Sequence, residues 1–288
     1  MPKVSLYIPC FNAEKTIQEC LESVMRQSFP IDEVLIIDDG CQDKTADIVS
    51  KYPVKIIKHD KNKGLAASRN SAFKQAQNEF VAALDADCLA YNDWLKELLG
   101  CFEDENVAGS GGRLRERHYR KLADQWRLAH MQQNWGEAYL KDALFIYGSN
   151  SVFRKSRLER IGFYNDHDFR NHYEDVDLSE RLHRKGYRLA YNPAAQAEHL
   201  RTDTINSLLK NYWRWSGQAH INSYNARHPL RRIIARLLLI AETCGKFLEA
   251  DMVKKNYRLL FLDLIFPLYF LWLDTICFLR KIIRKRSN

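Results

Sequence analysis

Two carboxylates lie close together in the sequence, at the end of an apolar run. Asp85 and Asp87 belong to the segment LDADC (84–88), directly after Phe80–Leu84. Two ionised carboxylates at this spacing repel, and each raises the pKa of the other unless a positive charge lies between them. A hard divalent cation resolves the repulsion and fills its remaining positions with substrate phosphates. The pair therefore indicates a metal and phosphate site, and an exposed acidic turn is the alternative.

The first half of the chain contains the elements that must position these side chains. Short apolar runs, which predict strands, alternate with segments of helical pattern. The predicted strands are Val4–Ile8, Val34–Ile37, Val54–Ile57 and Phe80–Leu84, and the predicted helices are Glu14–Gln27, Lys44–Lys51 and Leu65–Gln77. Such alternation is typical of a mostly parallel sheet with helices on its faces. The sequence therefore predicts an α/β fold.

Polar loops that are far apart in sequence meet at one edge of such a sheet. Ligands bind there, beyond the carboxyl ends of the strands. The loops after the four predicted strands are Pro9–Glu14, Asp38–Asp43, Lys61–Arg69 and Asp85–Asp87. We expect them to converge on one crevice. The first loop has no glycine, which argues against a G-x-G-x-x-G dinucleotide site, and no P-loop sequence occurs anywhere in the chain.

The second half is less regular. Its predicted elements are a flexible turn at Gly109–Arg113 (GSGGR), a helix over Leu122–Tyr139, a strand over Phe145–Phe153, a helix from near Asp175 to Gly186 and a strand over Tyr187–Tyr191. Because glycine commonly ends a helix, we expect the helix that begins near Asp175 to end at Gly186.

The basic charge of the protein is concentrated in its C-terminal third. Residues 201–288 hold 16 Lys and Arg against 6 Asp and Glu, whereas residues 1–200 hold 28 against 30. The basic residues are mixed with long aliphatic runs, which favours an anionic membrane surface over nucleic acid as the partner. The seven cysteines are scattered without C-x-x-C, so we expect a reducing cytosol and no zinc or disulfide framework.

Five motifs in one consistent order resemble glycosyltransferase family 2, which has the GT-A fold. They are VSLYIPCFNAEKTIQECLESVMRQSF, IIDDGCQDKT, NKGLAASRNSA, LDADC and YEDVDLSERLHRKGYRLAY. The similarity runs over residues 3–200. It implies a GT-A catalytic domain over residues 1–202, with a nucleotide-binding half (1–105) and an acceptor half (106–202), and a basic helical region over 203–288.

The resemblance also implies roles for single residues. Asp87, Asp85 and His199 would hold Mn²⁺ or Mg²⁺, and imidazole suits Mn²⁺ better. Asp175, with Glu174 beside it, would be the general base that deprotonates the acceptor hydroxyl. The implied nucleotide-sugar contacts are Pro9, Phe11, Glu14, Asp39, Arg69, Asp85, Ala86 and Gly148.

Position alone leaves other roles open for several of these residues. Asp39 also fits a turn, since it lies in Asp38-Asp39-Gly40. Arg69 also fits a solvated helix residue, and Glu174-Asp175 also fits a helix N-cap. His199 also fits an ordinary surface or core histidine.

An aromatic motif follows the region of resemblance. Trp213, Arg214 and Trp215 come after Asn211, where processive polysaccharide synthases of the family have the Gln of Q-x-x-R-W. The resemblance implies acceptor binding by these three residues, and the departure at Asn211 predicts transfer of one sugar per binding event. A core or interface role for the tryptophans is the alternative.

The C-terminal apolar segment is long enough to span a bilayer but contains charge. Leu259–Leu279 has 21 residues, and the two aspartates within it, Asp263 and Asp274, each cost roughly 2.5–3.5 kcal/mol at a bilayer centre. They share a helix face with Pro267. This polar stripe predicts a helix lying at the membrane interface or packing on another subunit.

Two basic stretches support attachment to an anionic membrane. Arg280–Arg286 is a basic run near the C-terminus, and the amphipathic segment Pro229–Phe247 carries Arg231, Arg232 and Arg236. We expect peripheral attachment, and a dimerisation module of C-terminal helices is the alternative.

The sequence as a whole therefore predicts a cytoplasmic, metal-dependent, inverting glycosyltransferase at the inner face of the plasma membrane. A UDP-sugar is the favoured donor, and a glycan or glycolipid of the cell surface is the acceptor. Two alternatives stay open: a catalytically degenerate GT-A scaffold, and an aspartyl-phosphate phosphohydrolase with Asp85 as nucleophile.

Overall fold

The chain forms two compact units. The structure, a computed structural model, describes the backbone of residues 1–221 and 229–286, and the side chains of these residues apart from 217–236, 239 and 277–286. The sheet unit comprises Met1–His118 and Gln133–Arg201, and the helical unit comprises Tyr119–Gln132 and the chain from Thr202 onward. Tyr119–Gln132 thus groups with the C-terminal region. The functional division at residues 105 and 202 stays a prediction.

The sheet unit is built on one sheet, which has eight strands in the described residues. They are β1 (Val4–Cys10), β2 (Glu33–Asp38), β3 (Lys55–Lys58), β4 (Phe80–Leu84), β5 (Cys88–Ala90), β6 (Val107–Glu116), β7 (Asn150–Arg154) and β8 (Arg188–His199). Their order is β3-β2-β1-β4-β7-β6-β8-β5. The first four are parallel, as are β6 and β8, whereas β7 runs antiparallel to both its neighbours. The predicted α/β fold is confirmed.

The described residues also form ten α-helices. In chain order they are α1 (Ile17–Met25), α2 (Thr45–Val49), α3 (Leu65–Gln75), α4 (Trp94–Leu99), α5 (Leu122–His130), α6 (Lys155–Ile161), α7 (Glu174–Arg184), α8 (Ile205–Ile221), α9 (Pro229–Val253) and α10 (Leu260–Arg286). Helices α5 and α8–α10 belong to the helical unit.

Both faces of the sheet are buried. Side chains alternate along β1, so Leu6 and Ile8 pack in one apolar layer with α1 and α4, while Tyr7 packs in the other with Phe73 of α3 and Leu178 of α7. Burial on both faces explains why the strands appear as continuous apolar runs. It also fixes the strand ends, and with them the loops that carry the polar residues.

The prediction of a flexible turn at Gly109–Arg113 is wrong, because these residues lie in β6. Added Cβ atoms would come within 2.5 Å of Phe153 at Gly109 and within 2.6 Å of Ile146 at Gly111. At Gly112 the Cβ would lie 2.2 Å from the backbone oxygen of Ala195. The glycines therefore serve close packing within a strand, not a turn.

Two other predicted elements are shorter in the structure. Helix α5 ends at His130, close to the point where the chain leaves the helical unit after Gln132. Strand β7 begins only at Asn150, because the backbone before it bonds to side chains: the Trp135 indole donates to the Phe145 oxygen, and Ile146 N donates to Ser179 Oγ.

The helical unit has an aromatic core of its own. Trp126 of α5 stacks on Phe266 of α10 at 4.2 Å between ring centroids, and Tyr212 of α8 stacks on Phe270 at 5.8 Å. Trp126 Nε1 also donates to Asp263 Oδ1 at 2.7 Å. Asp263 is buried because this indole donor draws it inward, so it faces the core of its own unit. Packing of the helix on a membrane or on another subunit stays a prediction.

The opposite face of α10 is apolar and exposed. It presents Phe261, Leu264, Leu268 and Trp272 to solvent. In the part of the chain that the structure describes, no helix combines the length and apolarity needed to cross a membrane. The basic residues Arg231, Arg232, Arg236 and Arg280–Arg286 lie outside the side chains that the structure describes.

Candidate active site

The loops after β1 and β2 are held together by side-chain to backbone hydrogen bonds. Gln42 N donates to Asn12 Oδ1 at 2.8 Å, and Asn12 adopts a left-handed conformation with φ of 53°. Lys44 N donates to Glu14 Oε2 at 3.2 Å. Glu14, predicted to contact the nucleotide, therefore also helps to fix the second loop.

Asp39 joins the second loop to the third. Its Oδ1 accepts from Lys63 N and its Oδ2 from Gly64 N, both at 2.8 Å, and His59 Nδ1 lies 2.7 Å from Oδ1. His59 in turn lies 2.9 Å from Ser71 Oγ, so the group is anchored on α3. Asp39 is buried, and a nucleotide base that bonds to it must share its oxygens with these protein donors.

The predicted contact of Arg69 with the nucleotide stays a prediction. Arg69 is not the solvated helix residue that its position alone allowed, since only 2% of its side chain is exposed. Its Nη1 lies 2.7 Å from Glu174 Oε1 and its Nη2 lies 3.5 Å from Asp85 Oδ1. Burial opposes the charge, but the carboxylates of Glu174 and Asp85 hold the pKa of Arg69 well above its ordinary value. Arg69 thus connects α3, the end of β4 and the start of α7.

Gly148 leaves room for this guanidinium. A Cβ at Gly148 would lie 2.3 Å from Arg69 Nη1, so a larger residue would displace Arg69. The prediction placed Gly148 beside the donor sugar, and that role stays a prediction. The contact with Arg69 is a separate reason for glycine at this position.

The two acidic residues that begin α7 have different surroundings. Glu174 is buried, and burial raises its pKa although Arg69 lowers it. Asp175 is half-buried, with Val176 N donating to Oδ1 at 2.9 Å and Gly148 N near Oδ2 at 3.4 Å. Burial raises the pKa of Asp175 as well, and Arg69 opposes the rise. Asp175 is therefore the more accessible of the two carboxylates.

Asp85 and Asp87 point to different partners. Asp85 lies beside Arg69, whereas Asp87 Oδ2 lies 3.3 Å from His199 Nε2. Asp87 is the more accessible of the two, with 39% of its side chain exposed. Burial works against its charge, but the hydrogen bond with His199 lowers the pKa of Asp87 overall. The separation leaves Asp87 as the accessible oxygen donor.

His199 is held from behind by a buried carboxylate. Its Nδ1 lies 3.0 Å from Glu116 Oε1. Burial would lower the pKa of His199, but the hydrogen bonds with Asp87 and Glu116 prevail and raise it to about 9. Cys88 lies in the same cluster, and burial keeps its thiol protonated by raising its pKa.

These residues fit a divalent cation. A carboxylate behind the imidazole fixes the ring so that Nε2 faces Asp87, an arrangement common behind metal-binding histidines. Carboxylate and imidazole donors suit Mn²⁺. One donor atom each from Asp87, Cys88 and His199 lies within 4.8 Å of the others, whereas Asp85 lies outside this group.

The remaining predicted contacts lie at the same edge of the sheet or on the helical unit. Pro9 and Ala86 are buried at the strand ends, whereas Phe11 exposes 51% of its surface just beyond β1. Trp213, Arg214 and Trp215 lie on α8, where the Trp213 indole donates to Asp274 Oδ1 at 2.8 Å. The role of these three residues in acceptor binding stays a prediction.

Two partners in this site were not predicted from the sequence. Glu116 meets His199 because β6 pairs with β8 in a register that sets these residues side by side. His59 meets Asp39 from the end of β3. A polar residue directly after a predicted strand was the available signal for His59, whereas Glu116 depends on strand register, which no local motif encodes.

Comparison with known families gives one match over more than half of the chain. The family model described as glycosyl transferase family 2 matches residues 5–162. The poly-beta-1,6-N-acetyl-D-glucosamine synthase of Staphylococcus epidermidis is 29% identical over a 227-residue alignment that covers 75% of this chain and 54% of that protein. The chain thus spans about half the length of the curated relatives that it matches.

Solved structures share the fold. The mannosyltransferase PcManGT from Pyrobaculum calidifontis, in complex with GDP-Man and Mn²⁺, aligns with a TM-score of 0.64 at 18% identity, over 94% of this chain and 87% of that one. TarS 1–349 of S. aureus, in complex with UDP-GlcNAc, aligns with a TM-score of 0.55 at 18% identity, over 87% and 73%. The sheet and its covering helices are therefore those of the GT-A fold.

Proposed function

The chain belongs to glycosyl transferase family 2, and on this basis we propose that it transfers a sugar from a nucleotide sugar to an acceptor hydroxyl with inversion at the anomeric carbon. The main support is the position of Asp175, a half-buried carboxylate with oriented oxygens next to a buried Arg69 that also contacts Asp85. Arg69 pairs with Glu174, the residue before the proposed base, and lies beside Asp85, so one buried guanidinium joins the start of α7 to the end of β4.

Asp175 acts as the base in this proposal. It takes the proton of the acceptor hydroxyl as the acceptor oxygen bonds to the anomeric carbon and the bond from that carbon to the diphosphate breaks. Backbone donors from Val176 and Gly148 hold the carboxylate in place. Glu174 does not reach the acceptor in this scheme, because it is buried against Arg69, so it acts as a positioning residue.

Asp87 and His199 would hold Mn²⁺ or Mg²⁺, with Asp85 beside them. When bound, the cation stabilises the negative charge of the departing diphosphate. Glu116 keeps the His199 ring turned towards Asp87. Asp85 is restrained by Arg69, so its oxygens are kept at the same edge of the sheet.

We favour a UDP-sugar as donor, and UDP-GlcNAc as the first to test. The exposed ring of Phe11 lies beyond β1, where a base could stack, and Asp39 can accept from the N–H of uracil. The S. epidermidis relative is named for an N-acetylglucosamine polymer, and the TarS neighbour was solved with UDP-GlcNAc. The neighbour with GDP-Man makes a guanine nucleotide the alternative.

The acceptor in this proposal is a glycan or glycolipid of the cell surface, reached from an anionic membrane. The exposed apolar face of α10 would insert among lipid chains, and the excess of Lys and Arg in residues 201–288 would favour anionic headgroups. We therefore place the protein in the cytoplasm, bound to the anionic lipids of the inner face of the plasma membrane.

Release of the nucleoside diphosphate tests the proposed reaction. We expect the purified protein to release UDP from UDP-GlcNAc in the presence of Mn²⁺, faster with an acceptor glycan, and to stop when EDTA is added. Asp175→Asn should slow release by about 10²–10⁴-fold, and Asp87→Asn should remove the dependence of release on Mn²⁺, while both keep the folded circular dichroism spectrum. A folded protein that releases nucleotide from none of the UDP- or GDP-sugars would contradict the proposal and favour the scaffold alternative.

A further inference from the structure

A buried cluster of possible metal ligands lies in the helical unit. His130 of α5, Asp251 of α9 and Asp263 of α10 each offer one donor atom, and these atoms lie within 4.8 Å of one another. Asp251 and Asp263 have no exposed surface, and only 5% of the His130 side chain is exposed. Three helices therefore meet at one polar point inside an aromatic core.

The hydrogen bonds around the cluster do not satisfy it. His130 Nε2 lies 2.9 Å from Asp251 Oδ2, and Asn256 Nδ2 donates to Asp251 Oδ1 at 3.2 Å. Trp126 donates to Asp263 Oδ1, but the buried Oδ2 of Asp263 has no donor among the residues that the structure describes. This oxygen is an unpartnered, fully buried acceptor within the cluster.

The charges of the cluster do not balance either. Two carboxylates face one imidazole, and in the described part of the chain neither carboxylate pairs with a lysine or an arginine. Uncompensated negative charge in an apolar core is strongly unfavourable. The surroundings are apolar, since Leu259, Leu262 and Phe266 pack in the same core. With both carboxylates ionised, the cluster lacks one positive charge if His130 is protonated and two if it is neutral.

The imidazole of His130 is held in a fixed orientation. Its ring centre lies 4.8 Å from that of Trp126 and 4.7 Å from that of Phe247. These two rings also contact each other, so the imidazole packs against an aromatic pair and loses little freedom on binding a metal ion. The ligand set is therefore pre-organised on the side of α5.

We propose that His130, Asp251 and Asp263 bind one divalent transition-metal ion, with Zn²⁺ as the best fit. Zinc takes imidazole nitrogen at about 2.0–2.1 Å and carboxylate oxygen at about 2.0–2.2 Å, with ligands of a tetrahedral site about 3.4 Å apart. The three donor atoms lie within 4.8 Å of one another, and side-chain movements of about 1 Å would bring them to this geometry. A water molecule completes four-coordination. The ion ties α5 to α9 and α10, and it is independent of the cation held by Asp87 and His199.

A shared proton is the competing explanation. Burial raises the pKa of Asp263, and the charge of Asp251 adds to the rise, so a protonated Asp263 could donate to Asp251. Asp263→Asn separates the two explanations. The carboxamide imitates a protonated carboxyl group, because it can accept from Trp126 and donate to Asp251, but it is a poor zinc ligand.

Metal content and melting temperature test the site. The parent for this experiment carries Asp87→Asn and His199→Gln, which remove the ligands of the catalytic cation, and it is dialysed against micromolar Zn²⁺. We expect one zinc per chain by mass spectrometry and a melting temperature that falls by several degrees with EDTA. Adding Asp263→Asn should remove the zinc and the response to EDTA. The proposal would be overturned if the parent bound no zinc, or if the variant with Asp263→Asn still bound it.

Cobalt substitution provides a test that does not depend on the folding of a variant at the site. Co²⁺ added to the metal-free parent should give the intense visible absorption of four-coordinate cobalt with nitrogen and oxygen ligands, and Zn²⁺ should displace it. An absence of this band would favour the shared proton and overturn the metal site.

Discussion

Two neighbouring carboxyl groups at the start of α7 illustrate how burial separates roles. Glu174 is enclosed and neutralised by Arg69, so its carboxylate serves the structure of the site. Asp175 is held by backbone donors and is partly open to solvent. Because a general base must touch the proton that it accepts, the accessible carboxylate is the candidate. The difference arises because consecutive residues of a helix point in different directions, not because one side chain is Glu and the other Asp.

Replacing Asp175 by Asn should reduce turnover by about 10²–10⁴-fold, since general base catalysis is lost while the carboxamide keeps the shape. Binding of UDP should stay unchanged in isothermal titration calorimetry. Asp177→Asn is the matched control: Asp177 pairs with Arg181 in the same helix, and its loss should change turnover little. Equal loss of activity in the two variants would contradict the assignment of Asp175 as base.

The sequence singled out the acidic residues of the candidate site but not their partners in the structure. Asp39, Asp85, Asp87 and Asp175 lie in local motifs at strand or helix ends, where a pattern can be recognised in one segment. His59 and Glu116 act through contacts between segments that are far apart in the chain. The buried position of Arg69 was also missed, because a helical arginine is exposed in most settings and no local pattern signals its two carboxylate partners.

Among the elements, α3 and α7 depend on one buried cation. We expect Arg69→Met to lower the free energy of unfolding of the sheet unit by about 3–5 kcal/mol, because it leaves Glu174 buried without its partner. Replacing both residues, as Arg69→Met with Glu174→Leu, should restore part of this loss. Urea unfolding followed by tryptophan fluorescence measures both changes. The account of the pair would be wrong if the double variant lost more unfolding free energy than the two single variants lose together.

Strand β6 depends on its glycines. Gly112→Ala should destabilise the protein by about 1–3 kcal/mol, because the new methyl group meets the backbone oxygen of Ala195 in β8, which cannot move cheaply. Gly100→Ala is the matched control. Gly100 has helical φ and ψ and open space at its Cβ position, so this change should be neutral or stabilising by up to about 1 kcal/mol.

The same urea unfolding curves compare the two glycine variants. Equal midpoints for Gly112→Ala and Gly100→Ala would contradict the close packing of β6 on β8. The element was missed in the sequence because GSGGR has the composition of a turn. Strand membership follows from what packs against the glycines, namely Phe153, Ile146 and Ala195, and this is tertiary information.

At the scale of the whole molecule, the α/β fold could be predicted because its strands are buried on both faces and alternate with helices. The central strand β4 was placed to the residue, at Phe80–Leu84. The inward orientation of Asp263 in α10 could not be predicted, since it depends on an indole donor 137 residues away. Periodicity identifies an apolar helix, but it does not tell which face meets a neighbour.

The exposed face of α10 gives a prediction about membrane binding. Leu264→Glu with Leu268→Glu should reduce flotation with vesicles that contain anionic lipid by at least tenfold, because two charges replace apolar side chains at the inserted face. Leu144→Glu, an exposed leucine of the sheet unit, is the control and should float like the parent. Unchanged flotation of the α10 variant would exclude this face as the lipid contact.

The most direct test of the central claim is the melting temperature of the protein with UDP, GDP, dTDP and CDP, each with and without Mn²⁺. A ligand that binds only the folded state raises the melting temperature by mass action. We predict that one nucleotide, UDP, raises it only when Mn²⁺ is present, beyond the effect of Mn²⁺ alone, and that Asp87→Asn removes this rise. No rise with any of the four nucleotides would contradict a nucleotide-sugar site at Asp85 and Asp87.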